Sequence, residues 1–184
     1  MGPHSEELLK KVLENNKTPA VIDADGLNLL AKTDEWGIEQ IRMNPSGYVL
    51  TPHMKEMSRL TGYSVQELKE NRRELLRKYT EKVHAVCVLK DSRTLVKAPE
   101  GRLMINTTGN AAMAKAGSGD VLAGMITGFM AQHMRPDDAA VLGVYLHGLC
   151  GDHARKELGS YSVLAGDLLK MLGRTLKELE DMTE

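Results

Sequence analysis

Two hydrophobic spacings alternate along this chain, and they divide it into helices and short strands. Residues 5–15 place Leu8, Leu9, Val12 and Leu13 on one helical stripe, with Ser5 as an N-cap. Pro19 to Asp23 is a brief apolar run that reads as a buried strand, with 24–28 as its exit loop. Residues 48–51 form a second such run. Pro52 stops it, and a helix opens at His53 and extends to about Leu60. Ser64 and Glu67 form a capping box for a charged helix ending near Tyr79. His84 to Lys90 is continuously apolar until its last residue, as expected of a central parallel strand. Residues 94–98 and 102–106 flank Pro99-Glu100-Gly101 and predict a hairpin. Helical spacing returns over 120–133, 136–158 and 162–179. Gly124 and Gly128 lie four apart in the first of these helices and predict close packing against a neighbour. Helices interleaved with short apolar strands predict an α/β domain of three layers, α/β/α, around a mostly parallel central sheet.

Between the hairpin and the helix at 120 the pattern breaks. Residues 106–119 are small, polar and rich in glycine, so the backbone can turn tightly and approach a ligand. Gly117-Ser118-Gly119-Asp120 then falls at a helix N-terminus, where unpaired N–H groups and the helix dipole attract anions. Phosphate is the natural guest. A carboxylate is out of place in a pure phosphate cradle, so two readings of Asp120 stand. It is an ordinary N-cap, or it takes a proton from a hydroxyl that attacks the phosphoryl group.

Acids and amides at the ends of the apolar runs supply further candidates, because loops at strand C-termini form the site in parallel sheets. Asp23, Asp25 and Asn28 come after the first strand, and Asn28 reads mainly as a cap of the next turn. His53 and Glu56 share a first helical turn after the second strand, where a site role competes with dipole and capping roles. Lys90 and Asp91 end the third strand. His147, Cys150 and His153 recur every third residue, but such steps drift around a helix and no further ligand is nearby, so a metal reading is weak.

Composition narrows the class. At 184 residues one domain is expected, and a net charge of −1 gives no reason for nucleic-acid or anionic-membrane binding. No apolar run is long enough to span a bilayer. The two cysteines, Cys87 and Cys150, sit in apolar runs and read as reduced core thiols, which fits the cytoplasm. Eleven methionines against one Phe and one Trp suggest that Met fills much of the core.

Taken together, Val21 to Asn28, Leu50 to Glu56, Leu89-Lys90 with Thr94, Asn106 to Asp120 and Leu146 to Asp152 resemble the ADP/ATP-dependent NAD(P)H-hydrate dehydratase family of the ribokinase-like superfamily. The resemblance runs from about Thr18 to about Leu179. It implies repair of hydrated nicotinamide cofactors, in which a ring hydroxyl is phosphorylated from ADP or ATP and phosphate then leaves. Asp120 is implied as the base and hydrate contact, with His53 and Asp25 also binding the hydrate. Lys90, Asp91, Ser92, Arg93, Thr94, Asn110, Gly117, Ser118 and Gly119 are implied to bind the nucleotide. Glu56 matches an acid that helps organise Mg2+ through water. The family usually has Gly where Asp91 stands, and often Gly where Ala116 stands.

The family domain also carries further strands and a glycine-rich turn before this point. The chain is therefore expected to be a single domain equivalent to roughly the C-terminal two-thirds of the family's. Gly2-Pro3 reads as a remnant of that turn or of a cloning tag. An open sheet edge would result, to be covered by a homo-oligomer or a partner chain. Two alternatives remain: a vitamin-precursor kinase of the same superfamily, for which His53 is atypical, and an incomplete nucleotide-binding fragment.

Overall fold

The computed structural model describes residues 3–182, so Gly2 of the predicted turn remnant lies outside the described residues. The elements run α1 (Pro3–Asn15), β1 (Ala20–Ile22), α2 (Asp25–Leu30), α3 (Asp34–Met43), β2 (Tyr48–Leu50), α4 (Met54–Thr61), α5 (Val65–Val83), β3 (Val86–Leu89), β4 (Leu95–Lys97), β5 (Leu103–Ile105), a 3-10 turn at 111–113, α6 (Ser118–Ala131), α7 (Pro136–Leu158) and α8 (Ala165–Asp181).

The strands form one sheet in the order β1-β2-β3-β4-β5. β1, β2 and β3 pair in parallel, whereas β4 and β5 fold back as the expected antiparallel hairpin. Because β5 reverses β4, it points the same way as β1, β2 and β3. Side chains alternate between the faces. Tyr48, Leu50, Cys87, Leu89 and Leu95 face a core built with α1–α5. Val49, Val86, Val88 and Val96 face Leu122, Ile126 and Val144 of α6 and α7. A satellite cluster, with Cys150 and Leu168, holds α8 against α6 and α7. The three layers are therefore α1–α5, the sheet, and α6–α7.

Several elements differ from the sequence reading. The stretch after β1, read as a loop, becomes α2, because Leu27, Leu29 and Leu30 have a core to enter. Residues 34–43 form α3, which buries Ile41 beside a half-buried Trp36. α1 starts at Pro3, so Ser5 lies inside its first turn and is not the cap. His53 is the N-cap of α4, and α5 continues to Val83 through a kink at Asn71. The close packing assigned to Gly124 and Gly128 lies elsewhere. Both are exposed, and a Cβ at either would meet nothing within 4 Å. The tight helix contacts are made from α7, where a Cβ on Gly143 would come 2.7 Å from Ile126.

Both cysteines are free and buried, and burial pushes the Cys87 thiol up to about 12. Among the described residues, no helix is long and apolar enough to cross a membrane.

Candidate functional site

The parallel strands end together, and their ends carry the candidate chemistry. Asp23 comes after β1, Thr51 to His53 after β2, and Lys90 after β3. Lys90 N–H donates to Pro52 O at 2.8 Å, and His53 bridges to Lys90, so the two chain ends are zipped side by side. Lys90 Nζ reaches back to Asp23 Oδ1 at 2.6 Å, with both side chains mostly buried. Gly119 of α6 rides directly above this ion pair. A Cβ there would lie 3.4 Å from Lys90 Nζ and 3.7 Å from Asp23 Oδ2. The helix N-terminus and the strand ends therefore form one groove.

α6 starts at Ser118, with Gly117 at φ +87° as its N-cap. That left-handed backbone suits glycine and turns the chain from the loop into the helix. Asp120 is thus the third residue of the helix and does not cap it. Its carboxylate is exposed and makes no hydrogen bond or ion pair among the described residues. The free donors are not the set expected. Ser118 N–H turns to Lys115 O at 3.3 Å, which leaves the amides of Gly117, Gly119 and Asp120 without an acceptor among the described residues. The Ser118 hydroxyl also points inward, with Oγ 3.3 Å from Nε2 of buried His147 on α7. Ser118 is held on the protein side of the groove at both its polar ends.

The loop that leads to α6 is seated on α7. Asn106 Nδ2 donates to Val144 O at 3.5 Å, and Thr108 Oγ1 donates to Tyr145 O at 3.0 Å. Asp152 accepts from Gly109 N–H at 2.9 Å and from Asn110 Nδ2 at 2.8 Å. Asn110 Nδ2 also donates to Gly151 O, and its Oδ1 accepts from Ala112 N–H. The side chain of Asn110 is thus engaged in shaping the loop. Gly148 and Gly151 give the loop room on α7. A Cβ on Gly148 would lie 2.8 Å from the backbone of Thr108.

The predicted nucleotide segment 90–94 is anchored on the same loop. Asn106 N–H donates to Thr94 O at 2.9 Å, and Arg93 donates to Thr107 O at 2.8 Å. Asp91, the unusual acid, turns away to Arg72 at 3.2 Å and accepts from Ser92 N–H. Its charge is thus paired on α5.

His53 and Glu56 form a reciprocal capping box. His53 Nδ1 accepts from the N–H groups of Lys55 and Glu56, both at 3.1 Å, which leaves the ring proton on Nε2. Nε2 lies 3.3 Å from Glu56 Oε1, while Oε2 accepts from His53 N–H at 2.8 Å. Glu56 is buried, and about half of the His53 side chain remains open. Asp25 begins α2 in an exposed position, while Asn28 sits within that helix and accepts from Arg59 at 2.6 Å, so it is not a turn cap.

The three residues spaced for a metal point in different directions: His147 to Ser118, Cys150 to Thr175 at 3.5 Å, and His153 to Glu178 at 3.0 Å. The roles of His147 and Asp152 were missed in the sequence. The stretch Leu146 to Asp152 carries part of the family resemblance but assigns these two residues no role, because their partners lie 29 and 42–43 positions away.

Burial lowers His147 to about 4 from the ordinary 6.5, opposed by its contact with Ser118 and reinforced by nearby Lys90. The unfolded chain therefore takes up this proton first. Stability from this group is complete above pH 6.5 and is lost as pH falls from there toward 4, by about 3 kcal/mol at most. Urea midpoints of the wild type and His147→Gln, measured from pH 7 to 4.5, should show a shallower decline in the variant. Equal slopes would contradict this assignment.

The family model described as NAD(P)H-hydrate dehydratase matches residues 2–174, a span that holds the whole of this groove. The chain belongs to this family. It is similar to the bifunctional NAD(P)H-hydrate repair enzyme of Moorella thermoacetica, with 44% identity over 182 residues, which cover 99% of this chain and 34% of that protein. A Bacillus subtilis ADP/ATP-dependent NAD(P)H-hydrate dehydratase co-crystallised with ATP/Mg2+ superposes with a TM-score of 0.77 at 34% identity, covering 90% of this chain and 56% of that one. A ribokinase-like superfamily protein from Enterococcus faecalis gives a TM-score of 0.79 at 31% identity, with 97% and 60% covered. The chain thus spans about a third of the length of the bifunctional relatives of the NAD(P)H-hydrate dehydratase family.

Proposed function

We propose that this chain carries the ADP- or ATP-dependent NAD(P)H-hydrate dehydratase activity, which returns (S)-NAD(P)H hydrate to NAD(P)H. The observation that carries the reading is the unpaired carboxylate of Asp120 beside unpaired amides in the first turn of α6, above the Lys90–Asp23 ion pair. An anion and a proton acceptor are wanted at one place in phosphoryl transfer and at few others.

In this mechanism the terminal phosphoryl group lies against the amides of Gly117, Gly119 and Asp120. Asp120 takes the proton of the hydrate hydroxyl as its oxygen attacks phosphorus and the remainder of the nucleotide leaves. The phosphate ester then loses phosphate while the neighbouring ring carbon gives up a proton, and the ring double bond returns. The open part of His53, with Nε2–H held toward Glu56, and the exposed Asp25 contact the hydrate. Segment 90–94 and the loop at Asn110 form the nucleotide side. Among the described residues no cluster of acids or histidines would hold Mg2+ by itself, so the ion would arrive with the nucleotide and would supply neutralisation of phosphate charge. Glu56, whose oxygens are turned to His53, would help hold it through water.

The same reading sets the context of the reaction. The reaction takes place in the cytoplasm, on the ribokinase-like α/β domain that the described residues form. The outer edge of β1, unpaired in this sheet among the described residues, is covered by another copy or a partner chain.

Isothermal titration of ADP, with and without magnesium, should give one site per chain. Turnover of NADH hydrate should be seen when the hydrate is supplied. Absence of ADP binding would reject the reading. Phosphorylation of a vitamin-precursor alcohol without hydrate turnover would favour the kinase alternative.

A further inference from the structure

We infer that His147 is a positioning residue for this site: through its contact with the Ser118 hydroxyl it sets the direction of the Gly119 and Asp120 amides. The inference rests on the nucleotide reading of the groove and deepens it. It reassigns Ser118 from a nucleotide ligand to the anchor between α7 and the anion-binding turn.

The pair lies in an apolar contact. α6 and α7 meet through side chains that include Leu122, Ile126 and Val144, and Gly143 lets the helices approach closely. Within this contact His147 and Ser118 are 9% and 8% exposed, with Nε2 and Oγ 3.3 Å apart. An apolar pair of similar volume would pack there without desolvating two polar groups, so the polar pair contributes direction more than stability.

The direction matters because Gly119 and Asp120, the next two residues, carry the free amides. The amide of Ser118 is already turned to Lys115 O, so the contact with His147 fixes the second polar end of the same residue. With both ends fixed, the rotation of the first helical turn is set. The next two amides, which have no acceptor among the described residues, belong to that turn, and Gly119 in it lies against the Asp23–Lys90 pair. His147 is also flanked along α7 by the seats of the incoming loop: Val144 and Tyr145 before it, and Gly148, Gly151 and Asp152 after it. One stretch of α7 thereby registers both the loop and the helix start. Desolvation keeps the ring neutral near pH 7, so it adds no charge to the groove.

The test monitors the backbone amides of Gly119 and Asp120 by NMR while ADP with magnesium is added to the full chain. In the wild type both signals should shift. In His147→Leu, which keeps apolar bulk but removes the polar contact, the Kd read from these shifts should weaken about tenfold, the scale of one hydrogen bond. His147→Gln can still reach the hydroxyl and should restore most of the affinity. Ser118→Ala should match His147→Leu, and the double variant should lose no more than either. Wild-type affinity in His147→Leu, failure of Gln to rescue, or losses that multiply would each overturn the inference. Wild-type amides that ignore ADP would overturn the nucleotide reading and this inference with it. If the wild type responds and His147→Leu responds equally, the inference alone fails.

Discussion

Asp120→Asn is expected to abolish turnover of NADH hydrate while leaving ADP bound. Asn has nearly the volume of Asp and preserves the helix start, but it cannot take a proton from the attacking hydroxyl. Loss of a positioned base lowers the rate by roughly 10²–10⁴-fold. Nucleotide affinity should hold or tighten, because the substitution removes a negative charge next to phosphate. The geometry makes this outcome specific. Asp120 is exposed and has no partner among the described residues, so its removal leaves no stranded charge and should hardly move the unfolding midpoint. Return of reduced nicotinamide absorbance measures the first effect, and titration of ADP measures the second. Near-normal turnover in the variant would remove Asp120 as the base.

Gly148→Ala is expected to produce the largest structural effect of a single methyl group near the site. Gly148 is buried on α7, and an added Cβ would stand 2.8 Å from the Thr108 backbone. The Thr108 hydroxyl stands nearer still and could rotate aside only by giving up its bonds to Asn106 and Tyr145. The main chain at Thr108 and Gly109 is tied down by Asn106 and Asp152 and cannot rotate away. Overpacking of this kind costs about 1–3 kcal/mol, or roughly 3–10 °C in Tm for a chain of this size. The loop should lift from α7, and ADP affinity should fall with it. By contrast, Gly124→Ala on α6 has open space and helix-compatible backbone, so it should be neutral or slightly stabilising. Calorimetry of the two variants checks the pair. Equal midpoints would show that the loop does not depend on its seat on α7.

The sequence and the structure agree best where one element decides its own form. The apolar runs at 48–50 and 86–89 are strands buried on both faces, and the 95–105 hairpin turns where Pro99 to Gly101 stand. The Ser64–Glu67 capping box is made as read. Helices α2 and α3 escaped the pattern because they are short and gain their stability from the core they cover. At the site, the glycine turn before α6 was legible because only a few residue types tolerate its backbone and its unpaired donors.

The partners were not legible. Nothing local says that Lys90 will pair with Asp23, 67 positions away, or that Asp91 will turn to Arg72. Nor does spacing show that Ser118 faces inward to His147, since the serine could as well have turned its hydroxyl toward a phosphate. The sequence by itself determined the alternation of helices and strands, the anion-seeking turn at Gly117 to Asp120, and family membership, because each depends on residues close together or on motifs in order. Only the tertiary structure decided which donors remain free for a ligand and which residues hold them in place. Hydrogen bonds and ion pairs between distant segments depend on how the layers pack, which no local stretch of sequence specifies.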